Sequence, residues 1–131
     1  MKNSLLAILL PSVMLLISCN AEDLRDLPFY GNWCGPLHSG GPDTPGIDSL
    51  DDQCKIHDLC YDAIPVQDED YYDCAAGAKV DCDAAMVNDL KALDDDPDLW
   101  STPPAPENRK KAIQYRTDAL NLFGACVDLL T

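Results

Sequence analysis

Six cysteines follow the apolar N-terminal stretch of this chain: Cys34, Cys54, Cys60, Cys74, Cys82 and Cys126. A domain of about 110 residues buries little apolar surface, so cross-links must supplement its core, and six thiols suit three bridges. A zinc cluster would want paired C-x-x-C or H-x-x-H spacing, and neither occurs. Spacing alone leaves every pairing of the six open.

Structural disulfides imply an oxidising compartment, and the N-terminus agrees. Lys2 precedes an almost unbroken apolar run from Leu5 to Ile17. The run is short for a membrane span and is followed by small residues, so residues 1–19 read as an export signal and residues 20–131 as one domain. Two processing routes fit. Leu16-Ile17-Ser18-Cys19 resembles a bacterial lipobox, which would leave Cys19 as a lipid-anchored N-terminus. An ordinary signal peptidase could instead cut after Ala21 and release a secreted, extracellular protein. The net charge of −14 repels nucleic acid and anionic membranes at long range. It favours cations, zwitterionic surfaces or a basic partner.

Residues 30–47 are rich in Gly and Pro and read as a loop. A helix should start at Asp48 or Ser49, with either side chain as N-cap and Asp51 and Asp52 in the first turn. Its stripe runs Leu50, Cys54, His57, Tyr61, Ile64, and Pro65 ends it. A second helix is expected over residues 70–93 with the stripe Ala76, Val80, Asp83, Val87, Leu90. Pro97, Pro103, Pro104 and Pro106 separate it from a third, over residues 107–129, with Ile113, Leu120 and Val127 on one face and Ala119, Leu122, Cys126 and Leu129 beside them. No segment alternates as a strand would. The expected fold is mainly α: two long antiparallel helices clipped by disulfides, with a C-terminal helix laid against them.

Asp83 is the odd member of its stripe, an acid on the face that should be buried. An uncompensated buried carboxylate costs several kcal/mol, on the order of 3–5. It therefore needs a donor, and the facing helix offers His57 and Tyr61. A carboxylate on one ring nitrogen fixes the imidazole tautomer and leaves the other nitrogen free to take a proton. A paired core histidine without chemistry would satisfy the same two positions. Asp58 lies one residue on, at the edge of the same cleft. Upstream, residues 33–41 form a tight turn whose carbonyls can converge, and carbonyls plus one carboxylate suit calcium. Cys34 is placed to pin that turn to Cys54, one helical turn before His57. Ser39 and Ser49 lack a G-x-S-x-G setting, which argues against a serine hydrolase.

Tyr30-Gly31-Asn32-Trp33-Cys34-Gly35, then Cys54-Lys55-Ile56-His57-Asp58-Leu59-Cys60-Tyr61, resembles the calcium loop and active-site helix of secreted phospholipases A2. Asp81-Cys82-Asp83 looks like the same family's Cys-Asp element. The resemblance covers roughly residues 30–90. It implies a small disulfide-rich phospholipase A2-like fold and calcium-dependent cleavage of the sn-2 ester of phosphoglycerides. His57 would be the general base, Asp83 would orient it, and Tyr61 would bond Asp83. Asp58 and the carbonyls of Trp33, Gly35 and Leu37 (or His38) would hold Ca2+, and the Gly35 amide would serve the oxyanion. Bridges Cys34–Cys54 and Cys60–Cys82 are implied, leaving Cys74 with Cys126. The implied partner is a phospholipid membrane surface, met by the chain as a monomer, and no nucleic acid. Leu24, Leu27, Phe29, Trp33 and Leu37 are candidates for touching lipid. A non-catalytic, calcium-binding, toxin-like or receptor-binding module of the same fold is the alternative.

Three positions depart from the family pattern. The family usually has Gly where this chain has Leu37. Gln53 replaces a cysteine, and Asp89 stands near the place of that cysteine's partner, so both halves of one bridge are missing. The stretch between His57 and Asp83 is too short for the two-stranded wing of the venom and pancreatic enzymes. A compact, wing-less version is expected.

Overall fold

A computed structural model describes residues 27–65 and 77–130. The expected signal segment, Cys19, Leu24, residues 70–76 and Cys74 lie outside the described residues. The described residues hold three α-helices, α1 (Ser49–Asp62), α2 (Gly77–Ala92) and α3 (Arg109–Leu130), with a 3-10 turn at Pro97–Leu99. Among the described residues there is no strand, only an isolated bridge between Tyr30 and Cys34. No helix among them is long and apolar enough to cross a membrane.

Of the two N-cap candidates for α1, Asp48 takes the role. Its backbone is extended, and its side chain accepts from the Asp51 amide, which satisfies one of the donors a helix start leaves unpaired. Asp48 is wholly buried and also accepts from the Tyr30 hydroxyl. Burial pushes the Asp48 carboxyl up despite these donors. Burial, with the Asp48 bond and charge behind it, pushes the Tyr30 phenol up too. Ser49 ties the helix start to the far side of the chain, where its amide donates to the Thr102 carbonyl at 2.9 Å. Its hydroxyl accepts from the Thr102 amide at 2.9 Å. At the other end the Ala63 amide closes on Leu59, and Pro65 prevents continuation.

The α1–α2 pair is antiparallel. Cys60 is joined to Cys82, His57 meets Asp83, and Cys54 lines the same cleft as Met86. Each step back along α1 is thus a step forward along α2. The second bridge, Cys34–Cys54, fastens the N-terminal loop to α1. Cys54 and Cys60 stand three residues either side of His57, so both bridges clamp the segment that carries it. Cys126 is also disulfide-bonded; its expected partner, Cys74, is outside the described residues.

The core gathers loop, α1, α2 and α3 side chains, among them Trp33, Leu50, Leu90, Trp100 and Phe123. The expected α2 stripe is right for Asp83, Val87 and Leu90, but Val80 is only half-buried, and Lys79 and Met86 are buried instead. On α3 the buried face is Ala112, Tyr115, Ala119, Phe123 and Cys126, about one residue round from the expected one. Ile113 is exposed, while Leu120 and Val127 only flank the core. Two aromatic rings bury more area than the aliphatic residues beside them, so they set the rotation of the helix. The acidic turn at residues 94–98 is solvated, with Asp96 and Asp98 meeting Arg109.

Candidate active site

His57 comes from the inner face of α1, where steps of three and four keep Cys54, His57 and Tyr61 on one side. Its Nε2 donates to Asp83 Oδ1 at 2.8 Å, and the Tyr61 hydroxyl donates to the same oxygen at 2.6 Å. Asp83 is fully buried, so these charge-assisted bonds act where water does not compete. Its other oxygen, Oδ2, has no hydrogen-bond partner among the described residues. The Tyr61 ring lies 4.5 Å from the imidazole, and Phe123 of α3 meets it edge-on at 5.0 Å. Three contacts therefore fix the ring, and Nδ1 is the nitrogen left to take a proton.

The imidazole lines a cleft of about 260 Å³. Leu27, Leu37, Met86, Tyr115 and Phe123 give that cleft apolar walls. Asp58 and Asp62 mark its acidic side, and Gly35, Leu37 and His38 bring the loop to the same rim. Asp58 Oδ1 is 3.9 Å from His57 Nδ1. Burial alone would push the His57 ring down, but Asp58 and Asp83 outweigh it and hold the ring above its ordinary value. Asp58 is likewise pushed up, because burial outweighs the pull of His57. Tyr115, beneath the loop, is pushed up by burial and then by the negative field of Asp58 and Asp51.

Such a setting fits a hard cation. Asp58 is a carboxylate taken largely out of water, with a side chain 24% exposed. A calcium ion would offset that cost, and the residues expected to supply carbonyls (Trp33, Gly35, and Leu37 or His38) line the same cleft. The loop backbone turns sharply at two of these positions. Gly35 has φ 125, and a Cβ there would fall 2.4 Å from the Phe29 ring. Leu37 has φ 55, in the left-handed region that the family's glycine would enter freely. A Leu37→Gly chain should be more stable, by up to about 1 kcal/mol in urea unfolding, because removing left-handed strain slightly exceeds the entropy glycine adds to the unfolded state. A loss of stability there would mean that the side chain packs more usefully than its 81% exposure indicates.

The lipid-contact candidates divide. Leu37, on the cleft lining, is 81% exposed, Phe29, packed against the His38 ring, is 64% exposed, and Leu27 is half-buried. Trp33 is a core residue at 1%, with its indole N–H donating to the Thr44 carbonyl. Three further contributors were not legible as site residues in the sequence: Met86, Tyr115 and Phe123 form cleft wall. A fourth is Asp51, which reads in the sequence only as a first-turn acid. No periodicity signal marks it, since its partners lie in the loop.

The fold is mainly helical, small and disulfide-bonded, consistent with a phospholipase A2-like fold. Comparison with curated proteins agrees over part of the chain. One segment is 46% identical over 44 residues to "Phospholipase A2-beta" of Arabidopsis thaliana, covering 33% of this chain and 30% of that protein. Another comparison gives 45% identity over 47 residues with "Acidic phospholipase A2" of Micrurus dumerilii, 35% of this chain and 37% of that protein. The chain thus spans about a third of the length of the curated relatives it matches. No protein-family model matches it, and no solved structure does.

Proposed function

We propose that this chain is a calcium-dependent phospholipase A2 that hydrolyses the sn-2 ester of phosphoglycerides, releasing a fatty acid and a lysophospholipid. One observation carries the reading: an imidazole held by a buried Asp–Tyr pair faces an apolar cleft beside a second, partly desolvated carboxylate. A core histidine without chemistry would have no reason to line a cleft that also admits Asp58.

In this reading His57 Nδ1 takes a proton from a water molecule as the oxygen attacks the ester carbonyl. Asp83 and Tyr61 keep the ring in register and stabilise the imidazolium that forms. The proton then passes from Nδ1 to the departing glycerol oxygen. Asp58 and the carbonyls of Trp33, Gly35 and Leu37 (or His38) are the groups that would hold calcium. When bound there, the ion supplies positive charge against the developing oxyanion. The Gly35 amide is the backbone donor proposed for the same oxygen. Acyl chains lie along the wall of Leu27, Met86 and Phe123, while Phe29 and Leu37 meet the lipid surface. The acidic surface favours zwitterionic over anionic bilayers. Six cysteines and the N-terminal apolar run support an exported enzyme.

The test is fatty-acid release from phosphatidylcholine vesicles. Release should be abolished by a calcium chelator and restored by added calcium, with no restoration by magnesium, which demands a tighter octahedral shell. Release that ignores the chelator would remove the calcium mechanism, and no release in any buffer would remove the enzyme.

A further inference from the structure

Most of the bonds that fix the loop come from one ridge of α1, with Asp52 taking the Gly46 amide and Asp48 the Tyr30 hydroxyl beside it. Asp51, Cys54, Lys55 and Asp58 follow one another at steps of three, one and three, so they share a helix face. Asp51 is wholly buried and spends both oxygens on the loop. Oδ1 accepts from the Trp33 amide at 2.9 Å. Oδ2 accepts from the Asn32 amide at 2.9 Å and the Ile47 amide at 3.0 Å. Cys54 is bonded to Cys34. Lys55 Nζ donates to the Thr44 carbonyl at 2.9 Å, beside the Trp33 indole, which donates to the same oxygen. Asp58 ends the ridge at the cleft.

Asp51 does not perform this role as a helix cap. Asp48 already caps α1, and it does so by accepting the amide of Asp51 itself. The three amides on the Asp51 carboxylate belong to the two ends of the loop, and they draw residues 32–33 and residue 47 together. Gly31 is part of the same fit: it has φ 59, and a Cβ there would lie 2.3 Å from Asp51 Cγ.

We propose that Asp51 is the positioning residue of the loop, holding the Trp33–Leu37 turn against α1 before any metal arrives and thereby setting calcium affinity. This rests on the calcium reading above. A carboxylate accepting three amides costs nothing to reorganise when the ion binds. Without it, the loop must be ordered at the moment of binding, and the metal bears that entropy.

The experiment is calorimetric titration of calcium into the full chain and into Asp51→Asn, with circular dichroism to establish that both are folded. An amide side chain presents one acceptor oxygen and turns an NH2 toward a backbone N–H. The dissociation constant should rise about ten- to a hundredfold, the usual effect of removing a group that holds metal ligands in place. At saturating calcium the limiting rate of vesicle hydrolysis should return to within about threefold of the parent, because Asp51 touches no substrate. A merely structural role would lower the limiting rate without moving the calcium constant. If Asp51→Asn does not fold, amide hydrogen exchange in the unaltered, calcium-free chain decides. Asn32, Trp33 and Ile47 should then exchange at least about a hundredfold more slowly than exposed Ser39 and Gly41. Equal calcium affinity in a folded variant, or equal exchange at those amides, overturns the Asp51 role alone. No calcium binding by the unaltered chain removes the metal reading itself.

Discussion

Replacing His57 with glutamine should lower the turnover of phosphatidylcholine vesicles by about 10²–10⁴-fold while leaving the helical spectrum unchanged. Glutamine has the length to keep a donor on Asp83 Oδ1, so the buried carboxylate is not stranded. It has no nitrogen able to take a proton from water near neutral pH, so the loss falls on the chemical step. In barrier terms the expected change is about 3–5 kcal/mol. KM and vesicle binding should stay within a few-fold, because the groups proposed to meet lipid, Phe29 and Leu37, are untouched. A variant hydrolysing within tenfold of the parent would show that His57 is a structural partner of Asp83 and that the base lies elsewhere.

Removing the Cys34–Cys54 bridge by the paired change to alanine should cost about 3 kcal/mol, the loop-closure entropy of a ring of this size. For a domain of this length the melting midpoint should fall by roughly 10–20 °C, measured by calorimetry. Alanine is the better probe than serine, because both positions are buried and a hydroxyl would need a partner there. The loop would then hang on hydrogen bonds alone, those of Asp51 and Thr44 together with Tyr30–Asp48 and Gly46–Asp52, so calcium dependence should shift to higher concentration as stability drops. A midpoint within a few degrees of the parent would mean that those bonds, and not the covalent link, fix the loop.

The parts of the site legible beforehand share a property: each depends on one helix read by itself, or on a motif of adjacent residues. Step-of-three-and-four spacing put His57 and Tyr61 on the inner side of α1. An acid on an apolar stripe singled out Asp83. The demand of a buried carboxylate for donors then matched the two helices to each other. Leu37 was visible as a departure from glycine, and its φ of 55 gives that departure a physical content. Where several apolar stripes compete on one helix, as on α3, periodicity leaves the choice open by about one residue. Packing of Tyr115 and Phe123 makes that choice.

Sequence by itself determined the helical class, the stapling by cysteines, the helix boundaries to within a few residues of α1 and α3, and the pairing of His57 with Asp83. Those follow from local propensity, capping and the cost of leaving charge unpaired in a small core, all of which act over a few residues. Only the tertiary structure decided whether Asp48 or Ser49 caps α1, which face of α3 is inside, and that Trp33 is core and not a lipid anchor. It alone showed that Asp51 gathers three amides from a loop up to 19 positions upstream. Hydrogen bonds across such separations leave no periodic trace in a chain. They are set by where the disulfides and the core bring the backbone, so they become visible only once the chain has closed on itself.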